Sequence, residues 1–96
     1  MLTQQSPGRY RVAADLTFGT VTALRPQGLA ALAQSDGGLV LVLDAVGQVD
    51  SAGLALLIDW LAAARAAGRE LRYEQLPPAV RALARLSDVE DLLAGA

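Results

Sequence analysis

The chain has no cysteine and no histidine among its 96 residues. The first absence excludes disulfides and thiol chemistry. The second removes the commonest general base and the commonest metal ligand. Lysine is missing as well, so all 8 basic side chains are arginines. A phosphate-cradling loop of the Gly-rich type, which needs several glycines followed by Lys-Ser or Lys-Thr, is therefore ruled out. A nucleophile elbow is excluded too, because Val49 stands where Gly is needed before Ser51 and no His can serve as its base. Aromatic residues make up only 4% of the chain, so small aliphatic side chains must do the packing. No apolar run approaches the roughly 18 residues of a membrane span. Met1 to Tyr10 is polar and lacks the apolar core of a signal peptide, so a cytoplasmic location is expected. The net charge of −2 gives no electrostatic footprint for nucleic acid. The arginines, spread from Arg9 to Arg85, read as a solvated surface rather than a phosphate-binding stripe.

What is present is a single small domain rich in Ala, Leu and Val, with 53% hydrophobic residues. Residues 1–8, with Gln, Ser, Pro and Gly, are expected to be a flexible segment, leaving 9–94 as the folded domain. Tyr10-Arg11-Val12-Ala13-Ala14 alternates as a half-buried strand does. From Phe18 the period becomes helical, through Val21, Leu24 and Leu32, with Thr17 as N-cap. Pro26 predicts a kink or two short helices between Phe18 and Gln34. Leu39-Val40-Leu41-Val42-Leu43 is apolar on both faces, the mark of a strand in the middle of a covered parallel sheet. Ser51 to Ala67 is the clearest helix, capped by Asp50 or Ser51 and stopped by Gly68. Its core stripe is expected to be Leu54, Leu57, Ile58 and Leu61. Arg69 to Glu74 reads as a strand nearer an edge. Pro77-Pro78 opens a helix carrying Val80, Leu83, Leu86 and Val89 inward. A last short helix spans Val89 to Leu93. Strands alternating with helices imply an α/β fold, a small sheet with helices packed on it.

The junction at Val49-Asp50-Ser51-Ala52-Gly53-Leu54 joins the buried strand to this helix. Read from the residues alone, Asp50 and Ser51 cap the helix, and Gly53 is small because the backbone is crowded. A second surface of the same helix carries Leu56, Trp60, Ala63 and Ala67. One reading buries that surface under a neighbour. The other leaves Trp60 partly exposed as a partner's anchor, since Trp is enriched in interface hot spots, with Asp59 beside it to orient an Arg of the partner. The docking face expected on the second reading comprises Asp50, Ser51, Leu56, Asp59 and Trp60, together with Ala52 and Gly53 at the helix start. Carboxylate chemistry using Asp44 and Asp50 is a third alternative.

Leu39-Val40-Leu41-Val42-Leu43-Asp44 followed by Val49-Asp50-Ser51-Ala52-Gly53-Leu54-Ala55-Leu56-Leu57 closely resembles the signature of STAS domains, the sulfate-transporter and anti-sigma-antagonist family. The resemblance runs from about Tyr10 to Leu93. Asp15-Leu16-Thr17-Phe18, Gly53-Leu54-Ala55-Leu56-Leu57 and Leu83-Ala84-Arg85-Leu86 look most like its MlaB branch. It implies a single STAS domain with a small mixed or parallel central sheet. It also implies a non-catalytic cytoplasmic subunit without cofactor or metal. That subunit would bind the MlaF-like ATPase of a phospholipid ABC transporter, in a complex with a membrane permease. It would be peripheral to the inner membrane, without inserting into it, and would support outer-membrane lipid asymmetry. In phosphoregulated anti-sigma factor antagonists the motif resembles Asp-Ser-Ser-Gly, with the second hydroxyl residue taking the phosphate. Ala52 stands at that position here, which disfavours the alternative of an antagonist regulated by a serine kinase.

Overall fold

The computed structural model describes residues 1–94. Strands β1 (Leu2–Ser6), β2 (Arg9–Val12), β3 (Leu39–Val42) and β4 (Leu71–Glu74) form one sheet in the order β1-β2-β3-β4. Helix α1 (Val21–Ala33) lies between β2 and β3, and α2 (Ser51–Ala66) between β3 and β4. Helices α3 (Pro78–Leu86) and α4 (Glu90–Ala94) follow. β1 runs antiparallel to β2, whereas β2, β3 and β4 are parallel, so the sheet is mixed. This is the small α/β architecture that the alternation of elements implies.

Four local expectations are corrected. The polar segment expected to be flexible is strand β1, held along β2 through a register from Leu2 opposite Val12 to Gln4 opposite Tyr10. Alternation hid it because Thr3, Gln4 and Gln5 are all exposed. Its outer edge is capped by a side chain, for the Leu2 N–H donates to Gln27 Oε1 at 3.0 Å. Pro26 does not divide α1, which runs continuously from Val21 to Ala33. The proline sits exposed in the second turn, where its missing N–H frees only one carbonyl near solvent. Phe18 and Thr17 lie outside the helix, whose N-cap is Thr20 rather than Thr17. Leu86, expected inward, is 84% exposed, while Val80 and Ala84 carry the buried side of α3.

The core lies between the sheet and the helices. Tyr10, Val12, Leu39, Leu41, Leu43, Leu71 and Tyr73 alternate along the strands toward it and meet Leu24, Leu32, Leu54, Leu57, Val80 and Ala84. The Tyr73 hydroxyl, buried there, donates to the Leu57 carbonyl at 2.7 Å. Burial pushes its pKa well above the ordinary value, so it stays a neutral donor. Valines on the opposite face of β3 are covered differently from the sequence expectation. Arg9 of β2 reaches Glu74 at the end of β4 at 2.7 Å, across β3, and Arg11 of β2 reaches Asp44, two residues beyond β3, at 2.9 Å. Val42 is buried on that side, between Arg11 of β2 and Glu74 of β4 in the register.

Candidate docking site

Helix α2 begins where β3 ends, and the loop after β2 reaches the same end of the sheet. Leu16 and Val49 form an isolated parallel bridge between the two connections. The Leu16 N–H donates to the Gln48 carbonyl at 2.8 Å, and the Asp50 N–H to the Leu16 carbonyl at 3.0 Å. Gly53 lies directly on this crossing. A β-carbon there would overlap the Leu16 carbonyl group, so only glycine lets the first turn of α2 rest on the loop. The sequence expectation that Gly53 answers backbone crowding therefore has a specific partner.

Asp50 ties the same two segments through its carboxylate. Oδ1 accepts from the Ala52 and Gly53 N–H groups at 2.9 and 3.1 Å, the N-cap role expected for it. Oδ2 accepts from the Phe18 N–H at 3.0 Å. The bond from Phe18, followed by those from Gly53 and Ala52, holds this carboxyl below the ordinary carboxylate range. Such a group is the opposite of a general acid, which needs a raised pKa. Asp44 is engaged by Arg11 through both oxygens. The pair Asp44 and Asp50 is thus committed to structure, and among the described residues no three potential metal-ligating side chains converge.

The loop itself is fixed by threonines. Thr20 Oγ1 donates to the Asp15 carbonyl at 2.6 Å and accepts from the Thr17 N–H at 3.1 Å. Asp15 Oδ1 accepts from the Gln48 N–H at 2.9 Å, adding another tie between the two connections. On this rigid support the Phe18 side chain is 83% exposed. Ser51 and Ala55, one helical turn apart, are exposed on α2, which begins just after the Asp50 that holds the Phe18 N–H.

The residues expected to form a docking face are therefore divided. Ser51 is exposed and Ala52 half-buried at the start of α2, with Asp50 bridging them to Phe18. Leu56 and Trp60 are only 4% and 1% exposed, so they cannot anchor a partner. Trp60 packs against Gly28 of α1, and its Nε1 donates to the Arg25 carbonyl at 3.2 Å. Asp59 already holds Arg25 of its own chain at 2.6 Å, rather than waiting for an arginine of another. Of the two readings of this surface, the one that packs it beneath a neighbouring helix is correct. The missed residue is Phe18. Its helical spacing from Val21 and Leu24 masked it as the first core position of α1; the Asp-Leu-Thr-Phe-Gly-Thr run was the available signal that the chain turns there before the helix begins.

Two concavities, of about 710 and 780 Å³, lie away from this platform. One is lined by the Ser6-Pro7-Gly8 and Asp36-Gly37-Gly38 turns, the other by Ile58, Leu61, Leu71 and Leu92. Neither includes a residue of 50–53 or Phe18. The start of α2, tied to the exposed Phe18 through Asp50 and carrying the exposed Ser51, forms a platform outside both concavities.

Comparison with known proteins agrees with this architecture. The family model described as "Mlab, STAS domain" matches residues 3–94. No curated protein matches the chain in sequence. Among solved structures, one described as "Structure of the Anti-Sigma Factor Antagonist SpoIIAA in its Unphosphorylated Form" superposes with a TM-score of 0.71 at 17% identity. The match covers 97% of this chain and 84% of that one, and at this identity it speaks to the fold.

Proposed function

Since the chain belongs to the STAS family in its Mlab form, we propose that it is a non-catalytic docking subunit for the ATPase of a phospholipid-transporting ABC complex. In that role it works in the cytoplasm, held at the inner membrane by the transporter, and supports assembly and activity that maintain outer-membrane lipid asymmetry. No helix among the described residues is long and apolar enough to cross a membrane. The observation that carries the reading is the start of α2. There Asp50 locks the β2–α1 loop to the helix, leaving Phe18 and Ser51 exposed on one rigid support. A support of this kind costs little ordering entropy on docking, because its backbone is already fixed by hydrogen bonds. Ala52 has no hydroxyl to take a phosphate, which favours constitutive bracing of a partner over a phosphate switch at that position.

The runner-up is an antagonist of a serine-kinase anti-sigma factor, and the exposed hydroxyl of Ser51 is what favours it. Affinity purification of the tagged chain from its native cell separates the two. Recovery of an ABC ATPase with its permease supports the transport reading; recovery of a serine kinase without them overturns it. Genes for a permease and a lipid-binding periplasmic protein beside this one would point the same way.

A further inference from the structure

The side-chain charge of the protein is distributed unevenly. Segments 11–25 and 43–59 build the end of the fold that carries Phe18. They hold four carboxylates, Asp15, Asp44, Asp50 and Asp59, against two arginines, Arg11 and Arg25. Their balance of −2 equals that of the whole chain, so the six arginines and six carboxylates elsewhere cancel. Within this end, Asp44 is neutralised by Arg11 and Asp59 by Arg25. Asp15 and Asp50 have no cationic partner among the described residues, and both take part in the hydrogen bonds that tie the Phe18 loop to the segment before α2. One is three positions before Phe18, bonded to the Gln48 N–H, and the other accepts the Phe18 backbone N–H.

An aromatic ring left in water is the second half of the pattern. Phe18 is the one phenylalanine of the chain, and it is exposed while Trp60 and Tyr73 are buried. Burying an exposed aromatic against a partner is favourable in proportion to the area it covers. Two negative charges with no cationic side chain to neutralise them set the sign of the surface that can come close without repulsion.

We infer that Phe18 is the anchor of the docking interface, and that the partner surface is an apolar socket rimmed by arginine or lysine. This rests on the docking reading above and gives the partner surface its chemistry. The basic rim acts at long range, speeding encounter, while the socket supplies the lifetime of the complex. Asp15 and Asp50 then serve two ends at once, since the carboxylates that fix the loop also draw the partner to it.

The test is the binding kinetics of the full-length protein with the purified ABC ATPase. Phe18→Ala should weaken affinity roughly tenfold or more, as a hot-spot residue does, with the melting temperature unchanged because the ring is exposed. Asp15→Asn keeps an oxygen to accept the Gln48 N–H but removes the charge, so it should lower the association rate severalfold. Wild-type association should slow as salt rises from about 0.01 to about 0.15 M, where the Debye length falls from about 30 to about 8 Å. Phe18→Lys should be worse than Phe18→Ala, and most so at low salt. If the wild type binds and Phe18→Ala binds equally well, the anchor is overturned while the docking reading stands. Loss on Phe18→Ala with no effect of salt or of Asp15→Asn overturns the basic rim. If the wild type binds no ATPase, the docking reading falls and takes this inference with it. Self-association of the wild type through Phe18, seen by ultracentrifugation, would replace the basic partner with a second copy and also overturn it.

Discussion

The indole of Trp60 occupies the space where Gly28 would carry a β-carbon. One helix therefore presents a bare backbone and the other presents its largest side chain, so α1 and α2 approach closely around a single ring. Gly28→Ala should oppose two effects. Alanine raises helix propensity by about 1 kcal/mol, but its methyl group overlaps the indole, and overpacking costs about 1–3 kcal/mol. Net destabilisation is expected, measured as a lower urea midpoint. Trp60→Ala removes the ring altogether and should cost about 3–5 kcal/mol, enough to unfold much of so small a domain. A loss of docking in that variant would accordingly report folding and not contact.

Gly53→Ala should be more damaging than Gly28→Ala. Its added carbon meets the Leu16 backbone rather than the edge of a ring, and the backbone there is fixed by the Leu16–Val49 bridge. A loss of at least about 2 kcal/mol is expected. Retained stability, measured by denaturant titration, would count against the tight crossing of loop and helix.

Asp50 makes stability depend on acid. Its folded carboxyl titrates below its ordinary value of 3.8, because three backbone N–H groups favour the charged form. A depressed folded pKa contributes stability that is present above the unfolded pKa and lost as pH falls through the folded one. The wild type should therefore lose stability below about pH 4 more steeply than Asp50→Asn. The check is the urea midpoint of both proteins measured across that range. Parallel curves would remove Asp50 from the acid response.

On α3 the ordering of two aliphatic side chains is testable directly. Val80 is fully buried and Leu86 is 84% exposed. Val80→Ala should cost about 1–3 kcal/mol, whereas Leu86→Ala should change stability by less than about 0.5 kcal/mol. Equal effects would mean that α3 is rotated relative to the sheet.

The order and type of most elements were legible because their residues agree with one another at every level. Leu39 to Leu43, the Asp50 cap, the Gly68 stop and the Pro78 start each announce themselves locally. What escaped depends on contacts between distant segments. β1 has no apolar alternation, and it becomes a strand only because β2 offers an edge. The inward face of α2 could not be chosen by period, since both of its apolar surfaces are covered, one of them by α1 through Gly28. Trp60 and Phe18 consequently exchanged roles: the larger aromatic went inside because a glycine made room for it. The smaller stayed outside because its loop sends Leu16 into the core and turns at Phe18, where the Asp50 carboxylate and Thr20 hydroxyl fix the backbone. At the platform, the cap and the crowded glycine were readable from the motif, whereas the tie from Asp50 to Phe18 spans 32 positions and left no local trace.

The burial of Trp60 also gives the protein an optical reporter of its own. As the single tryptophan, enclosed between two helices and away from the exposed ring, it dominates the ultraviolet emission of the chain. Its emission colour should follow the separation of α1 from α2 and stay silent when the platform is occupied, so one fluorescence trace distinguishes a variant that has opened from one that has lost its partner.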